Sequence, residues 1–101
     1  MRTKRKAVLI DEKDNVLTVL DPVAAGEWVS TGGEELLAVE EIPQYHKIAR
    51  REIKRGQQIY KYGQPMGYAT ADITTGQWVH THNAASEQPE GDGQHAGIYG
   101  I

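Results

Sequence analysis

Residues 73–79 read Ile73-Thr74-Thr75-Gly76-Gln77-Trp78-Val79, and the same form occurs twice earlier in the chain. The earlier copies are Val23-Ala24-Ala25-Gly26-Glu27-Trp28-Val29 and Ile53-Lys54-Arg55-Gly56-Gln57-Gln58-Ile59. The common pattern is an aliphatic, two variable residues, Gly, then Glu or Gln, a variable residue and a second aliphatic. Glycine admits the positive φ that turns a chain tightly. The first aliphatic is therefore expected to plug the core and the second to open the next strand. The later two copies also match upstream, Ala49-x-x-Glu52-Ile53 against Ala69-x-x-Asp72-Ile73, with an offset of 20 residues. Spacings of 30 and then 20 residues are too irregular for a solenoid. Three such corners in one small domain predict compact β structure with strands folded back over each other.

The segments around the corners fit that reading. Ala7 to Ile10 is a compact apolar run, Asp14-Asn15 supplies a turn, and Val16 to Leu20 is a β-branched strand candidate. Together they predict a hairpin, which Asp21-Pro22 ends because proline lacks the N–H that a ladder needs. Glu34 to Val39 is read as a strand with a connecting loop, and Tyr60 to Ala69 as strand, turn, strand. The paired acids Glu34-Glu35 and Glu40-Glu41 are read as a solvated face. Three segments are expected: a basic N-terminal tail over 1–6, a β domain over 7–83, and a Gly-rich C-terminal tail over 84–101, linker-like in composition.

Length and composition exclude several classes. With 101 residues the chain holds one small domain and can bury roughly 65% of its unfolded surface. It is too short for a complete stand-alone enzyme with a deep site of its own. Zero cysteines remove disulfide frameworks, Cys-zinc sites and thiol catalysis. A pI near 5.7 argues against nucleic-acid binding. The apolar run behind the basic start is shorter than the roughly 7 residues a signal peptide needs and the roughly 20 of a membrane span. The expected compartment is the cytoplasm, with no membrane contact.

Candidate chemistry gathers at histidines. His80-Thr81-His82-Asn83 follows the last corner, and in a strand residues two apart share a face. Two imidazoles there suit a metal or an anionic substrate, but a metal needs at least one further ligand, from His46 or a partner chain. The plain alternative is two exposed histidines at a domain edge. His46-Lys47, beside Tyr45, offers a cation next to an imidazole, which suits a carboxylate or phosphate; a solvated loop is the other reading. Lys61-Tyr62 is open in the same way. No phosphate loop or nucleophile elbow is present.

The segment from residue 41 to 83 resembles the N-terminal domain of altronate and galactarate dehydratases, the altronate hydrolase family. The matching elements are Pro43, His46-Lys47-Ile48-Ala49, Ile53, Gly56, Lys61-Tyr62-Gly63, Met66-Gly67, Asp72-Ile73, Gly76 and His80-x-His82-Asn83, with Asp14-Asn15-Val16 upstream. That domain is a SAF domain, so the resemblance implies a compact, mostly β, β-clip fold of short strands with glycine corner turns. It also implies β-elimination: water leaves a sugar acid, a 2-keto-3-deoxy acid results, and a divalent metal, iron in particular, takes part.

In that family the domain leads a much longer chain, so this one is expected to be a separately encoded small subunit or an excised domain. Its partners would be a large catalytic subunit, which holds most of the metal site, and the sugar acid, with further copies of itself as a homo-oligomer also open. His80, His82 and His46 are expected in catalysis, His80 and His82 also as metal ligands, and Lys47, Asn83, Lys61 and Tyr62 at the substrate. The final HxHN is also similar to the small subunit of sulfolactate sulfo-lyase, which eliminates sulfite instead of water. A β-clip acting purely as an interaction module is the alternative from another class. Ice or carbohydrate-surface binding rests on fold analogy alone, and fold does not carry function.

Overall fold

The computed structural model describes residues 4–86 and contains nine strands, with no helix among those residues. They are β1 (Lys4–Val8), β2 (Val16–Val19), β3 (Trp28–Thr31), β4 (Glu34–Leu37), β5 (Lys47–Ala49), β6 (Gln58–Lys61), β7 (Gln64–Ala69), β8 (Trp78–Val79) and β9 (Ala84–Ala85). Six form one sheet in the order β4-β3-β1-β2-β5-β8, and three form another in the order β6-β7-β9. Only β1 and β3 pair in parallel; the other pairs are antiparallel. The predicted first hairpin forms, with Ala7 opposite Val19 and Val8 opposite Thr18. The fold is the small, mostly β architecture expected.

The glycine corners are type II turns, with positive φ at the third position and a bond from the fourth N–H back to the first carbonyl. Gly26, Gly56 and Gly76 have φ of 89°, 88° and 92°. The N–H groups of Glu27, Gln57 and Gln77 donate to the carbonyls of Ala24, Lys54 and Thr74 at 3.1, 2.9 and 3.1 Å. The recurring Glu or Gln has a physical reason that its spacing did not reveal. Its side-chain oxygen accepts the backbone N–H three residues earlier: Ala24 to Glu27 at 2.8 Å, Lys54 to Gln57 at 2.7 Å, Thr74 to Gln77 at 2.6 Å. Each corner thus satisfies its own exposed donor. The aliphatics before the corners (Val23, Ile53, Ile73) and after them (Val29, Ile59, Val79) are all buried, as predicted.

A fourth corner lies at Ile42-Pro43-Gln44-Tyr45-His46-Lys47-Ile48. The His46 N–H donates to the Pro43 carbonyl at 3.0 Å, and Tyr45 occupies the glycine position with φ of 67°. The four corners form two pairs, bridged through Val23 with Ile42 and through Ile53 with Ile73. Each pair seals its own core. One core holds Leu17, Val19, Val23, Val29, Leu36, Ile42 and Ile48; the other holds Val16, Ala49, Ile53, Ile59, Ile73, Val79 and Ala84.

Three expectations are corrected. The basic tail expected over 1–6 is strand from Lys4 onward: Lys4, Arg5 and Lys6 pair with Trp28, Val29 and Ser30, and Lys4 and Arg5 form ion pairs with Glu35 and Glu27. Residues Ala84 and Ala85, assigned to the C-terminal tail, form β9 against β7. The rest of that tail, residues 87–101, lies outside the described residues. The acidic pairs are not simply solvated. Glu34 binds the buried Arg50 guanidinium through both oxygens, and Glu40 accepts the Trp78 N–H at 2.9 Å. A buried guanidinium requires such a partner, which no local pattern reveals.

Candidate functional site

The Pro43 corner and the end of the Gly76 corner meet where β5 pairs with β8 in the six-stranded sheet. Antiparallel pairing of β5 with β8 sets Ile48 opposite Trp78 and Lys47 opposite Val79. Four rings gather there: His46 lies 5.7 Å from Trp78 and 4.7 Å from His80, centroid to centroid. His80 stacks on Trp78 at 5.3 Å with 9° between planes, and His82 rests on Trp78 at 4.9 Å. The indole Nε1–H of Trp78 donates to His46 Nδ1 at 3.1 Å. Trp78 is therefore the hub of the cluster, yet it sits at a variable position of the corner pattern and was missed.

His80 and His82 do not project from a strand as expected. β8 ends at Val79, and residues 80–83 form a turn in which the Asn83 N–H donates to the His80 carbonyl at 3.1 Å. The Asn83 side chain replaces a neighbouring strand: Oδ1 accepts the His80 N–H at 2.9 Å, and Nδ2 donates to the Trp78 carbonyl at 2.8 Å. Asn83, expected at the substrate, is buried and spends both polar atoms on backbone. It holds the two histidines against Trp78.

Lys47 is the electrostatic centre. It is only 8% exposed, and no carboxylate among the described residues pairs with its ammonium. Burial, with Lys61 adding repulsion, pushes its pKa down to about 8. Burial also lowers the pKa of His80, with His46, Lys47 and His82 contributing repulsion. Lys61 belongs to the β6–β7 tip, where its ammonium lies 4.8 Å over the Tyr62 ring. That tip is fixed from outside. Asp14, 2% exposed, accepts the N–H groups of Tyr62 and Gly63 at 2.9 and 2.7 Å, and Asn15 accepts that of Tyr60 at 2.8 Å. Asp14-Asn15, read as a simple turn, is thus a clamp that holds Tyr62 at its φ of 58°.

The cluster gathers His46, His80 and His82 on Trp78, while the charge of Lys47 acts on His80 and that of Lys61 on Lys47. Its positive field and missing counter-ion suit an oxyanion. The metal expected on His80 and His82 fits poorly. Among the described residues no three His, Cys, Asp or Glu side chains group as a metal site requires. Trp78 also occupies one nitrogen of His46, and the neighbouring lysine opposes a cation. No helix among the described residues is long and apolar enough to cross a membrane.

Short strands joined at glycine corner turns, with no helix among the described residues, are the architecture expected of a SAF domain. Residues 5–87 match the altronate/galactarate dehydratase SAF domain, and the chain belongs to that family. It is 38% identical over 76 residues to the altronate dehydratases of Bacillus subtilis (strain 168) and of Escherichia coli (strain K12). Those matches cover 75% of this chain and 15% of each relative, so the chain spans a small part of their length. It is also 36% identical over 53 residues to the (2R)-sulfolactate sulfo-lyase subunit alpha of Paracoccus pantotrophus, covering 52% of this chain and 79% of that one.

Proposed function

We propose that this SAF domain serves a sugar-acid dehydratase of the altronate type, as a cytoplasmic small subunit that is inactive without a large catalytic subunit. The reaction is β-elimination: a base takes the proton α to the carboxylate, an acid protonates the hydroxyl so that it leaves the β carbon as water, and the enol becomes a 2-keto-3-deoxy acid. The observation that carries this reading is Lys47, buried beside His46 and His80 without a carboxylate partner among the described residues. Such a cation is prepared for the carboxylate of an acid substrate. Lys61 and Tyr62 form the far edge of that place, and Asn83 keeps its turn in shape. His46, His80 and His82 face the catalytic subunit and hold or move protons at the substrate. The divalent iron that the resemblance implies is assigned to the large subunit, because the donor set here does not suit a cation.

The match covering 79% of the sulfo-lyase subunit alpha favours a second reading, the corresponding subunit of an enzyme acting on sulfolactate. Co-expression with a large dehydratase subunit and, separately, with a large sulfo-lyase subunit, assayed on altronate, galactarate and sulfolactate, separates the two. Turnover by the 101-residue chain alone overturns the subunit reading. Replacing both His80 and His82 by Ala is expected to abolish turnover of the reconstituted pair. Unchanged kcat would leave the domain as an interaction module.

A further inference from the structure

The four corners share one backbone design, and one departs from it at three positions, 43, 45 and 46. At three corners the residue after the glycine is Glu or Gln, and its side chain is committed to the backbone N–H three residues earlier. At the corner formed by residues 42–48 that earlier residue is Pro43, which has no N–H to satisfy. Position 46 therefore carries no capping duty, and the residue there is His46. Its Nδ1 accepts instead from the Trp78 indole, a group that can only donate. Nδ1 is consequently unprotonated, and the proton of neutral His46 resides on Nε2. Tyr45 in turn holds a left-handed φ that its neighbours at the other corners leave to glycine. Local backbone strain of this kind is characteristic of functional positions.

We propose that Pro43 is a positioning residue: by withholding a backbone donor it releases His46 from the corner into the ring cluster, where Trp78 fixes its tautomer. The proposal goes beyond the anion reading above, since it concerns how His46 is made available and not what it meets. An Nε2–H donor facing an acid substrate is one use of that tautomer. The tautomer itself is readable without any turnover.

The test is carried out on the full 101-residue chain with 15N-labelled histidine and tryptophan. The parent is expected to show an unprotonated Nδ1 on His46 and a hydrogen-bonded Trp78 indole proton. Pro43→Ala restores the backbone donor. Side chain 46 then either turns toward it, shifting the His46 nitrogen and Trp78 indole resonances, or stays and leaves that donor uncapped. In the second case Pro43→Ala is better tolerated in a His46→Gln background, where Gln can cap the new N–H as Gln57 and Gln77 do. The expected coupling is about 5 °C in melting midpoint, one hydrogen bond in a domain of this size. A conjunction overturns the proposal: Pro43→Ala leaves both resonances in place, and its cost is the same in the two backgrounds. A parent His46 protonated on Nδ1 overturns it as well. Loss of turnover in the reconstituted enzyme has no bearing on these readouts, so failure here is distinct from failure of the dehydratase reading.

Discussion

The carboxylate of Asp14 accepts the backbone N–H of Gly63 across 2.7 Å, joining two residues 49 positions apart. Its other oxygen takes the Tyr62 N–H at 2.9 Å and the Asp11 N–H at 3.2 Å. Asp14→Asn turns one acceptor into a donor that faces backbone N–H groups, and no rotation of the amide satisfies all of them. A loss of about 2–3 kcal/mol is expected in urea unfolding. Because Lys61 adjoins this tip, the variant should also weaken anion binding, read by titration with sulfate. A variant as stable as the parent would contradict the clamp.

The corner glycines are not equivalent. A Cβ on Gly76 would come 2.1 Å from the Leu37 carbonyl oxygen, whereas at Gly26 and Gly56 it would meet nothing within 4 Å. Gly26→Ala and Gly56→Ala should each cost about 1–2 kcal/mol, the strain of a left-handed alanine. Gly76→Ala should cost at least about 3 kcal/mol, since the backbone of β4 must move as well. Equal losses in the three variants, measured by chemical denaturation, would show that the contact to Leu37 yields freely.

Lys47 makes stability depend on alkaline pH. Its pKa is about 8 in the fold against 10.5 for an unperturbed lysine. Between those values the unfolded chain keeps a proton that the folded chain has released, so stability rises with pH across that window. Below about pH 8 both states are protonated, and the fold carries the full cost of burying the charge. Lys47→Met is therefore expected to be more stable than the parent at pH 7, and the gap should close toward pH 10. A gap that stays constant would contradict it.

The same field governs His80. Its depressed pKa, caused first by burial and then by His46, Lys47 and His82, leaves it neutral in the fold where a free histidine would be protonated. Acidification below about 6.5 should therefore destabilise the domain through this group. An oxyanion placed among these cations would offset their repulsion. Sulfate is expected to raise the His80 pKa, followed by NMR, and to leave it unchanged in Lys47→Met.

The sequence made three corners legible because each repeats Gly followed by Glu or Gln between buried aliphatics. The fourth was hidden because Tyr45 and His46 replace the two residues that mark the pattern. His46, Lys47, His80 and Lys61 were legible as candidates from residue type and resemblance. The centre of the histidine cluster was not, since Trp78 reaches His46 only through pairing of β5 with β8, 32 positions apart. Asn83 shows the opposite case: an amide beside two histidines suggested a ligand contact, but its partners are backbone atoms within five residues. Arg50 was passed over altogether, because its partners Glu34, Glu12 and Asp14 are distant in sequence.

Strands β2 and β5 feed both cores. Leu17, Val19 and Ile48 enter the first, while Val16 and Ala49 enter the second. Each strand therefore has no face left to the solvent, and a slip of one residue would exchange the contents of two interiors at once. The corner pairs look separable, but neither closes without these shared strands. Cutting the chain between Arg50 and Arg51 leaves β2, β5 and the first core in one fragment, so the other, deprived of Val16 and Ala49, should be unfolded alone and regain structure only on mixing.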